Sequence, residues 1–275
     1  MIWLRSFCVC CAALALQTHL ARAQTATLTL PANAFARGAG QFAGMADHAS
    51  SARVSLDIHL TTRPKPAPAT AQSHLTARLT PELSRHFDLF LYVSKAQQRM
   101  SVFRKTRGGL ELMLHFPVST GREKVETNAR GKAAFTITPP GIYALDPARF
   151  YADHVSTAWN DPMPHAMFFD AWHKGVRSGL AVHAAAKGEV QNLGSPASAG
   201  CIRLPPDAAR KLFLLINSSY RGMVPRFALD ARTHTTRRDG TLARDSKDRL
   251  QFYRGYRVLV VVEDNTAKTV TAENG

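Results

Sequence analysis

The chain predicts a mostly β domain, a sandwich or open barrel with one helix after its reactive motif. Three features carry this. Short runs of alternating or β-branched apolar residues recur between Phe87 and Val262, Gly, Pro and Ser clusters separate them, and only the stretch after Pro205 shows helical spacing. A length of 275 residues is enough to bury a sizeable core. No internal repeat is visible.

The chain opens on a targeting pattern. Arg5 supplies a positive start, Phe7 to Leu16 is an apolar run, and Ala21-Arg22-Ala23 is an A-x-A cleavage site before Gln24. The run is shorter than the roughly 20 residues of a spanning helix, so residues 1–23 read as a signal peptide and no stable membrane anchor is expected after cleavage. Residues 24–85 are rich in Ala, Thr, Gly, Pro and Ser and include Arg63-Pro64-Lys65-Pro66-Ala67-Pro68, an extended low-complexity tether. Within it Val54 to Leu60 alternates as a short strand would.

Strand patterns then accumulate through residues 86–262, the expected folded domain. Phe87 to Val93 and Arg99 to Phe103 flank a polar loop and read as a hairpin. Gly108-Gly109 turns the chain into a strand from Leu110 to Val118, which enters Ser119-Thr120-Gly121. Arg122 to Ala134 is a charged loop, and Thr138-Pro139-Pro140-Gly141 fixes a turn before the next strand. Pro206 or Asp207 starts the single helix, with Ala208, Leu212, Leu215 and Ile216 on one face up to Asn217. Tyr220 to Val224 returns as a strand, about 233–249 is a charged exposed insertion, and Tyr256 to Val262 is a final strand. Residues 263–275 are a polar tail.

Cleavage after Ala23 removes Cys8, Cys10 and Cys11 and leaves Cys201 alone. A lone thiol in an oxidising compartment forms no internal disulfide, so it is either buried and inert or kept for its reactivity. His183 lies 201 − 183 = 18 residues before it, after an apolar strand-like pair. An imidazole beside a thiol, with a small-residue turn through Ser198-Ala199-Gly200, supplies the base and nucleophile of an acyl transfer. His154, His165, His173 and His183 are 11, 8 and 10 residues apart, which fits no compact metal motif. No metal and no cofactor is expected.

Ser198-Ala199-Gly200-Cys201-Ile202-Arg203, with His183 upstream, resembles the L,D-transpeptidase (YkuD-like) catalytic domain, whose pattern reads H-G, a loop, then [S/T]-H-G-C-x-[N/R]. Val93 to Phe103, Pro117-Val118-Ser119-Thr120-Gly121 with Thr138 to Tyr143, and Trp159 to Phe169 resemble further stretches of that family. Ala184 stands where the family usually has glycine, and Ala199 where it often has a second histidine. His183 is then the only base in the motif. The resemblance implies a YkuD-like fold and a Cys201 thioester formed on peptidoglycan stem peptides. It also implies acylation by carbapenems. Backbone N–H groups at Ala199, Gly200 and Cys201 become the oxyanion donors. Arg203 either binds a stem-peptide carboxylate or braces the turn. Ser198 either orients His183 or the loop, or is a structural hydroxyl. Met163 and Phe168 are placed near the substrate, Met167 and Phe169 in the core. The acyl acceptor is left open: a second stem peptide, an envelope protein, or water, which gives carboxypeptidase or endopeptidase action. A catalytically silent peptidoglycan-binding module is the alternative outside enzymology.

The formal net charge is +15, and loss of Arg5 and Arg22 leaves 15 − 2 = +13. Export to the periplasm or cell envelope argues against nucleic acid as the partner of this charge. It either attracts an anionic envelope or keeps the chain soluble.

Overall fold

Alternation along the strands buries side chains on both faces of one sheet. The computed structural model describes residues 69–264. The signal segment, the proline-rich run and the Val54 to Leu60 alternation lie outside the described residues.

Eight strands form the sheet: β1 (Leu89–Ser94), β2 (Arg99–Thr106), β3 (Gly109–Pro117), β4 (Gly141–Tyr151), β5 (Ala166–Phe169), β6 (Ala181–Ala184), β7 (Ile202–Leu204) and β8 (Val258–Glu263). Their order is β7-β6-β5-β4-β8-β1-β2-β3. The hairpin β1–β2 pairs as expected, Leu91 opposite Val102. The β-branched run forms β8, parallel to β1, with Leu91 opposite Val260. Parallel pairs are normally covered on both faces. Accordingly Leu89, Leu91, Val258 and Val260 join one core cluster, and Phe90, Tyr92, Leu259 and Val261 join the other. The sheet nearly closes on itself. Ser119, just past β3, exchanges backbone hydrogen bonds with Arg203 of β7 at 3.0 and 2.9 Å, so the two edge strands are tied together.

The single expected helix is one of three α-helices among the described residues. α3 (Pro206–Ser219) forms where the prolines place it and covers the first cluster with Ala209, Leu212 and Ile216. Its buried stripe uses Ala209 where the spacing pointed to Ala208, which is only partly buried. α1 (Ala69–Arg78) and α2 (Pro81–His86) occupy chain read as an extended tether, and Leu75 and Leu83 are fully buried against Phe90 and Ile142 in the second cluster. The domain therefore begins before residue 86. The local signal was Thr80-Pro81-Glu82-Leu83: the Thr80 hydroxyl accepts the Leu83 N–H at 3.2 Å, and proline occupies the first turn. Averaged composition over residues 24–85 concealed it.

The charged stretch 233–249 is not wholly exposed either. Gly240 packs against Leu83 and Ile142, and Leu242 joins the second cluster, so the stretch clips across α2. Glu263, placed in the polar tail, closes β8 and accepts the Tyr92 hydroxyl at 2.8 Å.

Candidate active site

β6 and β7 run parallel, so a crossover must join them. Residues 185–201 provide it, including a 3₁₀ helix (Lys187–Asn192). The pairing puts Val182 beside Ile202 and His183 beside Arg203, and it brings Cys201, one residue before β7, to the end of the strand that carries His183. Both side chains line one narrow cleft of about 20 Å³ with Ser156, Trp159, Asp161, Met163, Ala199 and Arg203. That is room for about one water molecule and not for a peptide.

His183 is 2% exposed, and its Nδ1 lies 2.8 Å from the Ala184 carbonyl oxygen. A carbonyl only accepts, so Nδ1 carries the proton and Nε2 keeps the lone pair of a base. Burial pulls the imidazole down to about 4, only partly offset by that hydrogen bond, and Arg203 pulls it further down. Burial pushes the Cys201 thiol up to about 11, with Arg203 opposing and Asp161 adding to the rise. The thiol packs against the apolar cluster of Met163, Ala166, Phe168 and Ala181, and its Sγ donates to the Gly179 carbonyl at 3.7 Å. No hydrogen bond joins Sγ to His183 among the described residues. At neutral pH the pair is a thiol and a neutral imidazole.

The turn before Cys201 is held from within. Ser198 is fully buried; its hydroxyl donates to the Cys201 carbonyl at 2.5 Å and accepts the Gly200 N–H at 3.0 Å. It makes no hydrogen bond to His183 among the described residues; both of its bonds lie within the loop that carries Cys201. The Gly200 N–H is already engaged, which removes it from the three expected oxyanion donors. The N–H groups of Ala199 and Cys201 carry no hydrogen bond among the described residues. Gly200 has φ +121°, and a Cβ there would meet the Ile137 carbonyl oxygen at 2.8 Å, so the turn requires glycine. Thr138, read in the sequence only as the start of a turn and of a family-like stretch, donates to the Gly200 carbonyl at 2.7 Å and accepts the Gly121 N–H at 2.8 Å.

Arg203 is 4% exposed. Its Nη1 donates to the Ala197 carbonyl at 3.1 Å, bracing the turn, while Nη2 lies 2.5 Å from Glu189 and 3.2 Å from Asp161. Met163 lines the cleft. Phe168 belongs to the apolar cluster against which Cys201 packs and is 6% exposed, with the Arg149 guanidinium 4.8 Å over its ring and His154 edge-on. No group of three or more His, Cys, Asp or Glu side chains that could hold a metal occurs among the described residues. A larger groove of about 450 Å³, lined by Thr80, Arg85, Asp239 and Arg244 among others, contains no thiol or imidazole.

The family model of the L,D-transpeptidase catalytic domain, YkuD, matches residues 88–241, more than half of the chain. The chain belongs to the L,D-transpeptidase catalytic domain family. An L,D-transpeptidase from Mycobacterium smegmatis is 16% identical over 64% of this chain and 59% of that one, with a TM-score of 0.37. The L,D-transpeptidase from Xylanimonas cellulosilytica, residues 123–326, is 17% identical over 70% of this chain and 69% of that one, also with a TM-score of 0.37. This chain thus spans less than two thirds of the Mycobacterium smegmatis protein, and relatives this distant say nothing of its substrate. No curated protein matches the chain.

Within the family's frame, Ala184 keeps the one atom the site uses, its carbonyl, which any residue supplies. Ala199 lines the cleft where the family pattern often has a second imidazole. The partners of Arg203 were not singled out in the sequence. Asp161 is 203 − 161 = 42 positions away and Glu189 is 203 − 189 = 14, with no periodic signal linking them.

Proposed function

We propose that the chain is a cysteine-dependent L,D-transpeptidase acting on peptidoglycan stem peptides. The observation that carries this reading is the shared cleft of Cys201 and His183, with Nδ1–H tied to the Ala184 carbonyl so that the ring's lone pair is left on Nε2. As the donor amide enters, Sγ leaves the Gly179 carbonyl, His183 Nε2 takes the thiol proton, and sulfur attacks the carbonyl carbon. Charge that develops on the carbonyl oxygen is met by the Ala199 and Cys201 N–H groups. The C–N bond then breaks, His183 returns the proton to the departing amine, and a thioester remains on Cys201. An amine from a second stem peptide, which we favour, resolves it into a cross-link. An envelope protein as acceptor gives anchoring, and water gives hydrolysis.

The targeting pattern of residues 1–23 supports action in the periplasm or cell envelope, with a mature chain from Gln24 that retains one thiol. Arg203 serves the turn and, in this reading, the substrate; Met163 forms the apolar wall. The test is to incubate the mature protein with defined muropeptides and identify products by mass spectrometry. Cross-linked dimers are expected; shortened stems alone would replace transpeptidation with carboxypeptidase action.

One observation favours a second reading. Sγ is hydrogen-bonded to the Gly179 carbonyl and not to His183 among the described residues, and burial favours the neutral thiol and neutral imidazole, an arrangement that suits a silent binding module. Formation of any covalent adduct on Cys201 by a stem peptide or a carbapenem excludes it.

A further inference from the structure

Asp161, Arg203 and Glu189 join three separate segments at the cleft. Asp161 lies on the loop between β4 and β5, Glu189 in the 3₁₀ helix, and Arg203 on β7. The two carboxylates are held differently. Glu189 also accepts the Ala186 N–H at 3.3 Å and is only 22% exposed, so it is anchored at both ends. Asp161 is 45% exposed, its side chain has no other hydrogen bond among the described residues, and its 3.2 Å contact exceeds the roughly 2.7–2.9 Å usual for a charge-assisted pair. Arg203, although buried, has an unpartnered Nε. Asp161, Arg203 and Cys201 all line the cleft, whose volume of about 20 Å³ is too small for a peptide, and Asp161 is the lining carboxylate that sits on the Arg203 guanidinium.

We propose that Asp161 is an internal stand-in for a carboxylate of the peptide substrate, and that Arg203 is the subsite which receives that carboxylate once Asp161 withdraws. The inference rests on the peptide-processing reading above and names the group the site selects. The exchange keeps the local balance of one cation and two carboxylates, whereas entry of a substrate carboxylate beside Asp161 would gather three anions around one guanidinium. The unpartnered Nε gives the incoming group a donor that Asp161 leaves unused, as the planar fork of arginine allows. Selectivity then lies for a stem ending in a free carboxylate over the same stem ending in an amide.

Binding separates this proposal from turnover. In the full mature chain carrying Cys201→Ser to prevent reaction, calorimetry compares a stem tetrapeptide ending in free D-alanine with its C-terminal amide. Asp161→Asn, at an exposed loop position, is expected to tighten the free acid about fivefold or more, because the competing internal state is removed, and to leave the amide within about twofold. Arg203→Lys is expected to erase the preference for the acid; should that variant not fold, the Asp161 comparison alone decides. Equal tightening of both peptides would make Asp161 a steric plug and overturn the proposal, as would no change or weaker binding of the acid. Acid preference in a wild-type protein that yields no muropeptide product upholds the subsite while removing the enzymatic reading.

Discussion

His183 and Arg203 are register partners on the two parallel strands that lead to the cleft. The neighbouring cation and the burial of the ring act in the same direction and keep the imidazole neutral. The folded protein thus holds a base rather than an acid in its resting state.

A pH dependence of stability follows. His183 is depressed from 6.5 to about 4, so between those values the unfolded chain binds more protons than the folded one. The contribution is fully present above about 6.5 and is lost as pH falls to about 4, amounting to about 3 kcal/mol. His115 and His165 are lowered by burial too and act in the same sense. Urea unfolding of wild type and His183→Gln at pH 7.5 and 4.5 isolates the term: the variant should lose less stability on acidification.

Gly200→Ala should cost about 1–3 kcal/mol and displace Cys201, because a left-handed backbone and the Ile137 carbonyl oxygen both oppose a Cβ. Thermal unfolding and acylation rate should both report the change. Ala199→Gly, one residue away, lacks this clash and should stay within about 1 kcal/mol of wild type.

Removing the Ser198 hydroxyl leaves a buried N–H of Gly200 without its acceptor. Ser198→Ala should destabilise the protein by about 1–3 kcal/mol. The pH profile of acylation should keep its midpoint, since Ser198 does not touch His183. A moved midpoint would restore a role in orienting the imidazole.

Thr80→Ala tests whether the helices before β1 belong to the domain. Loss of the cap at Leu83 should cost about 1 kcal/mol of global stability in denaturant unfolding, without an early separate transition.

Much of this molecule was legible from the chain because its cues are local. The continuous apolar run Leu89 to Val93 and the β-branched run Val258 to Val262 marked strands, and the small residues before Cys201 marked a tight turn. α1 and α2 were hidden because their burial depends on distant chain: Leu83 meets Ile142 and Gly240. Phe168 was placed near the substrate from its position in an aromatic stretch; its packing with Cys201 and its contacts to Arg149 and His154 come from separate segments and carry no local signal. The carboxylates on Arg203 come from a loop and a 3₁₀ helix whose approach only the closed sheet brings about.

The most direct test is intact-protein mass spectrometry of the mature chain after incubation with a donor stem peptide. The account expects a hydroxylamine-labile acyl adduct on Cys201 in wild type, none in Cys201→Ser, and formation slowed about 100-fold or more in His183→Gln. A folded wild-type protein that gains no adduct, or gains it as fast without His183, would contradict it.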